Sequence, residues 1–118
     1  SDISRKAQGE PSAVIRERVI KARDIQTARY HDFKGTHCNA QMTERMIHLF
    51  AEPDANGMNI LRTAMDRFAL SARAYSRILK VARTIADLDG SERVEVHHLA
   101  EAIGYRMLDR GDWAERGL

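Results

Sequence analysis

An all-α fold, a bundle of about five helices, is what this sequence predicts, and three observations carry the prediction. Apolar residues recur every three or four positions in successive segments, the spacing of helices buried on one face. Only two prolines occur in 118 residues. Both, Pro11 and Pro53, stand where a segment begins or breaks. The stretch Leu70 to Gly90, LSARAYSRILKVARTIADLDG, carries a start signal and a stop signal at helical distance. At 43% hydrophobic and 31% charged residues, the composition is that of a globular domain, and the length suits one core and not two.

Taken in order, residues 1–10 are polar and without periodicity, and are expected to form a disordered lead-in to a helical domain over residues 11–110. Pro11 and Ser12 open the first helix, AVIRERVIKARDIQTARYHDF. Val14 or Ile15, Val19, Ala22, Ile25 or Gln26, and Arg29 or Tyr30 trace a narrow apolar stripe through it. Arg16, Arg18, Lys21, Arg23 and Arg29 crowd the remainder. Such a face is either solvated, relieved by Glu17 and Asp24, or a surface turned to phosphates or an acidic partner.

Lys34 to Cys38, marked by Gly35, is a connector, and Asn39 is the expected cap of a short helix from Gln41 to Phe50. Met42, Met46, Ile47, Leu49 and Phe50 are its inward residues. Glu52, Pro53 and Asp54 break the chain. A further helix to about Ala69 buries Met58, Ile60, Leu61, Ala64, Met65 and Phe68, with Gly57 weakening its first turn.

The next helix organises the rest. The Ser71 hydroxyl can accept from a backbone N–H two or three residues on, and Gly90 can take the left-handed conformation that ends a helix. Tyr75, Ile78, Leu79, Ala82, Ile85, Ala86 and Leu88 form its buried stripe; Arg73, Ser76, Arg77, Lys80, Thr84 and Asp87 gather on the other side. Arg83 is offset, placed to pair with Asp87 or with an acid on the last helix. Because this helix follows the previous one at once, the two are expected to turn sharply about Leu70 and pack as an αα-hairpin.

After a polar connector anchored by Val94, the last helix buries Val96, Leu99, Ala100, Ile103 and Met107 and ends near Asp109. Ala102 and Gly104 would allow close helix approach. Residues 111–118 are expected to be a loose tail unless Trp113 docks.

Several functions are excluded by the residues. No GxxxxGK[ST] phosphate loop is present, and no aliphatic run ends in paired acids to hold magnesium, so this chain alone is not an ATPase of that kind. GxSxG, CxxC and HExxH are absent too. The histidine and cysteine pairs, His37 with Cys38 and His97 with His98, point about 100° apart on a helix, so no metal site is expected. His97 and His98 should cover the first turn of the last helix, one of them inward. A net charge of +2 is too small to mark a dedicated nucleic-acid binder, although the basic first helix keeps a DNA-binding module open as an alternative. A lone cysteine, Cys38, makes no internal disulfide, and no apolar run could span a bilayer, so a cytoplasmic protein without a membrane partner is expected.

Arg73 stands apart. It lies in the first turn of its helix, where unpaired N–H groups and the dipole already favour an anion, and its guanidinium is a planar fork suited to phosphate oxygens. Arg77 and Lys80 lie one and two turns further on and could extend the same field.

The residues LSARAYSRILKVARTIADLDG and then HLAEAIGYRMLDR resemble the C-terminal helical domain of the magnesium-chelatase-like AAA+ ATPases, the group that includes bacterial competence proteins. PSAVIRERVIKARDIQTARY resembles the helix leaving the ATPase core, and Cys38-Asn39-Ala40 in the connector also fits. The resemblance runs from Pro11 to Arg110. It implies that the chain is the all-helical lid of a nucleotide-binding core, needing no cofactor itself but serving ATP and magnesium in the whole protein. It implies that Arg73, in the tripeptide Ser71-Ala72-Arg73, is the sensor-2 arginine, approaching the γ-phosphate of its own subunit or of a neighbour. The partners implied are the protein's own AAA+ core, neighbouring subunits of a hexamer, and DNA where the motor is a helicase; chelatase members instead drive metal insertion into a porphyrin.

Overall fold

The computed structural model describes residues 12–115, with side chains from 12 to 105. Five α-helices follow one another: α1 Ser12–Arg29, α2 Glu44–Phe50, α3 Ala55–Phe68, α4 Ala72–Leu88 and α5 Val96–Glu115, with a 3₁₀ turn, Asn39–Gln41, between α1 and α2. No strand occurs among the described residues, and none of their helices is long and apolar enough to cross a membrane. The all-α bundle is as predicted. The lead-in 1–10 and residues 116–118 lie outside the described residues, and α5 runs to Glu115, past Asp109 where the sequence placed its end.

The central helix is α4. It touches α1, the 3₁₀ turn, α2 and α5. Ser71 caps it as expected, its Oγ accepting from the Ala74 N–H at 3.2 Å. At the other end Gly90, at φ 72°, closes a Schellman turn in which Ser91 N–H reaches Ala86 O at 2.8 Å and Gly90 N–H reaches Asp87 O at 3.1 Å. Ala74, Ile78, Leu79, Ala82 and Ala86 are all within 1% of full burial and form the spine of the core, joined by Met46, Ile47, Leu61, Val94 and Leu99.

Several inward assignments do not hold. Leu49 (60% exposed), Ile60 and Phe68 lie at the surface, as does Ala100. Each belongs to an apolar set wider than the narrow face its helix buries: α2 inserts Met46 and Ile47, and α3 inserts Gly57, Leu61 and Ala64. The chain does turn sharply at Ala69, which adopts the left-handed conformation (φ 51°, ψ 49°), but α3 then packs chiefly on α5 and not along α4. Gly104 is exposed and a Cβ there would meet nothing within 4 Å, so it mediates no close approach. That role falls to Gly57. A Cβ at Gly57 would lie 2.6 Å from Pro53 Cβ and 2.8 Å from Leu99 Cδ1, so α3 meets α5 only because no side chain intervenes. Gly57→Ala is therefore expected to destabilise by about 1–3 kcal/mol despite the better helix propensity of alanine; thermal unfolding checks this, and a gain in stability would contradict the contact.

Asn39 is not the cap of α2. Thr43 is, its side chain accepting from Met46 N–H. Asn39 instead turns inward, 1% exposed, with a different task.

Candidate functional site

The candidate functional residues lie in several places. The first is the exposed start of α4. Arg73 and Arg77 are exposed and Lys80 is half-buried, and none of the three has a side-chain hydrogen bond or ion pair among the described residues. Ala74, 1% exposed, pins the turn that carries Arg73, and the Ser71 cap fixes where that turn begins. The guanidinium is thus free on a rigid mount.

On α1, Arg16, Arg18, Lys21 and Arg23 are all exposed, and Lys21 makes a 3.5 Å pair with Glu17 in water. The fold separates them into two sets. Arg18 and Lys21, with Ile25, line one side of an open groove of about 1100 Å³ whose other walls include Lys80, Val81 and Ile85 of α4 and Glu101 and Tyr105 of α5. Arg16 and Arg23 are not part of it, nor are Arg73 and Arg77. The apolar stripe predicted along α1 is mostly uncovered: Val14, Ile15, Val19 and Ile25 are exposed, and Ala22 is the one buried residue of the helix.

The second region is a buried polar cluster. Asp87, expected on the polar face of α4, has a fully buried carboxylate instead. Oδ1 accepts from Arg29 Nη2 at 2.7 Å and pairs with Arg83 Nη2 at 3.0 Å; Oδ2 accepts from Arg29 Nη1 at 2.8 Å and from Asn39 Nδ2 at 2.9 Å. Asn39 in turn accepts from Arg29 at 3.1 Å and from the Tyr30 hydroxyl at 2.6 Å, donates to Thr84 Oγ1 at 3.0 Å, and its N–H donates to Gln26 Oε1 at 3.1 Å. Arg83 pairs with Asp87, one of the two options its position allowed. Its Nη1 donates to the carbonyls of Phe50 and Glu92 at 3.0 Å and its Nη2 to that of Ser91 at 2.7 Å, tying the end of α2 to the α4–α5 turn, while its buried Nε has no partner among the described residues.

The titrations within this cluster follow from that geometry. Burial pulls Arg83 below its ordinary value in spite of Asp87. Burial also acts on Arg29, but the bidentate hydrogen bonds and charge of Asp87 outweigh it and leave Arg29 raised. Burial raises Tyr30 against the opposing influence of Arg29, keeping the phenol a neutral donor. Around the cluster the rings of Tyr30, Phe33 and Phe50 meet edge to face at 5.6–6.4 Å, and the Arg29 guanidinium lies 5.7 Å from the Tyr30 centroid. The bulky connector after α1 thus closes the polar cluster.

The α4–α5 turn brings three ligand-type groups together, Asp89, His97 and His98, within 4.8 Å of one another. Sequence spacing considered only the adjacent histidines and missed Asp89, which the Schellman turn folds back onto them. His98 is the inward one, 1% exposed. Its Nδ1 lies 2.9 Å from Glu95 N–H and so accepts, which places the neutral ring's proton on Nε2, donated to Asp89 Oδ2 at 2.9 Å. An Nε2 that carries the proton has no lone pair for a metal. The histidine is a helix cap, doing at the third helical position what a glutamate does in a capping box.

Hydrogen bonds from His98 and then His97 hold the Asp89 carboxyl below its ordinary value. A carboxyl more acidic in the folded chain adds stability above the ordinary carboxylate range and loses it as pH falls through the folded value. Between about pH 6 and about pH 3, wild type should lose more stability than Asp89→Asn, measured by urea unfolding at both; equal losses would remove the assignment.

The model of the family described as magnesium chelatase, subunit ChlI C-terminal, matches residues 9–106. The chain belongs to that family. Competence protein ComM of Haemophilus influenzae is 42% identical over 103 residues, covering 87% of this chain and 19% of ComM. YifB of Escherichia coli is 38% identical over 102 residues, covering 86% of this chain and 19% of YifB. The chain therefore spans about a fifth of the length of the curated relatives it matches.

Proposed function

We propose that this domain is the helical lid of a magnesium-chelatase-like AAA+ ATPase and that Arg73 senses bound nucleotide. The observation that carries the reading is the mounting of Arg73: a guanidinium with no partner among the described residues, in a capped first turn, on the helix whose other face is the core of the domain. In this reading the domain belongs to a larger polypeptide in which a separate core binds ATP and magnesium, and membership of the magnesium chelatase family supports that setting. In that setting Arg73 supplies positive charge to the γ-phosphate, and motion of the lid is tied to hydrolysis. Arg77 and Lys80 extend the field along α4. The likeness to a competence protein supports a competence-related role over porphyrin metallation; in this reading the motor works on DNA as a hexamer in the cytoplasm.

The test is ATP turnover by the polypeptide that carries this domain with its nucleotide-binding core. Arg73→Ala should fold normally and lose turnover; wild-type turnover in that variant would overturn the role of Arg73.

A further inference from the structure

Leu49, 60% exposed, is the most exposed large apolar side chain among the described residues. It stands at the end of α2 beside a hollow of about 400 Å³ that the start of α3 and the α4–α5 turn complete. The hollow is acidic. Glu52, Asp54, Glu92 and Glu95 line it and are exposed, against one exposed arginine, Arg93; the buried Arg83 in its wall is balanced by Asp87. The groove between α1, α4 and α5 has the opposite character. Arg18, Lys21 and Lys80 line it beside the exposed Ile25, Val81 and Tyr105. Of its acids, Asp87 is buried against Arg29 and Arg83 and Asp89 is held by His98, which leaves Glu101. Val81 lines the groove and Arg83 the hollow, and side chains two positions along a helix are about 200° apart around its axis, so the two surfaces lie on nearly opposite sides of α4.

We propose that Leu49 and its acidic surround dock in the basic groove of a second copy of this chain, head to tail. Shape and charge agree on that pairing. A protruding leucine suits an open groove with apolar walls, and an apolar anchor ringed by charge is the usual build of a protein interface. The carboxylates of Glu92 and Glu95, which no side chain engages among the described residues, would meet the cations of the groove. The minority charges match as well, since Arg93 belongs to the acidic surface and Glu101 to the basic one. A symmetric pairing lacks this property: it sets groove against groove, lysine toward lysine, or hollow against hollow, carboxylate toward carboxylate. Because each copy keeps one unused knob and one unused groove, the contact propagates into a ring or an open chain and does not stop at two. It gives neighbouring subunits of a larger assembly a contact surface, and it does not rest on the nucleotide-sensing reading.

Sedimentation velocity of this chain under reducing conditions tests the contact, from about 10 µM to about 1 mM at about 0.02 M and about 0.3 M salt. The mean mass should rise past the dimer with concentration at low salt and rise less at high salt. Two variants then separate the faces: Lys21→Glu with Val81→Glu in the groove, and Leu49→Ser with Glu92→Gln and Glu95→Gln at the knob. All five positions are exposed, so both variants should melt like wild type by circular dichroism. Each alone should associate at least about tenfold more weakly than wild type. Mixed in equal amounts, the intact knob of the first and the intact groove of the second should form a dimer that grows no further. A wild type that stays monomeric to the highest concentration, or stops at a dimer, overturns the contact, and that result needs no variant. So does a variant that associates like wild type, or a mixture that stays monomeric or grows past the dimer. No nucleotide is present, so unchanged ATP turnover in Arg73→Ala would leave these outcomes untouched, and the two proposals fail separately.

Discussion

Asp87→Asn should lower the unfolding free energy by about 3–5 kcal/mol, because it leaves two buried guanidiniums facing a neutral amide. Two arginines and one carboxylate share this site: Arg83 is 2% exposed, and the Arg29 side chain 12%. With the acid present, all four of its contacts are charge-assisted or donated by a buried amide. Replacing it by an isosteric amide preserves shape but removes the charge and turns one acceptor oxygen into a donor facing other donors, so the loss reports electrostatics and hydrogen bonding and not a cavity. Since small domains are stable by about 5–15 kcal/mol, such a loss brings this one close to unfolding at room temperature. Urea unfolding followed by circular dichroism measures it. A loss under about 1 kcal/mol would mean that the cluster behaves like a solvent-screened surface pair, and the burial argument would fail. Arg29→Met should cost much less, since the Arg83–Asp87 pair survives it.

How far this site could be read from the sequence depends on the range of each interaction. Ser71, Gly90, Val94 and the stripe Ile78, Leu79, Ala82 and Ala86 act within a few residues or through one helical period, and all were legible. Arg83 with Asp87 is an i, i+4 pair and was legible as one of two options. Arg29 with Asp87 spans 58 positions and Asn39 with Asp87 spans 48, and no local rule connects them. Arg29 and Asp87 looked solvated because a charge on the polar side of one helix is buried only when another helix brings its partner. The surface positions of Leu49, Ile60 and Phe68 were misread for the converse reason. Periodicity marks which residues could be buried, while the number of neighbouring elements decides which are. The first half of the α1 stripe is the extreme case: Val14, Ile15 and Val19 keep the apolar spacing yet lie at the surface, while Ala22 and Tyr30 further on are covered.

Arg73→Ala, in the polypeptide that includes the nucleotide-binding core, should reduce kcat for ATP hydrolysis by about 100-fold or more, the scale on which phosphoryl transfer responds to loss of one positioned guanidinium. Folding should not suffer. Arg73 is exposed and has no partner among the described residues, so its removal strands no buried charge, and alanine suits a helix interior. Arg73→Lys separates charge from geometry: lysine keeps the charge but lacks the planar fork, so partial activity is expected, between the two extremes. Arg77→Ala and Lys80→Ala provide the internal comparison. They lie one and two turns along the same side of α4, where screening weakens their reach, and each should change turnover by no more than about threefold. If all three alanine variants lost activity equally, a diffuse basic field would explain the data better than a sensing arginine. If Arg73→Ala alone lost it and Arg73→Lys recovered part, the capped first turn of α4 would be the place where nucleotide is read.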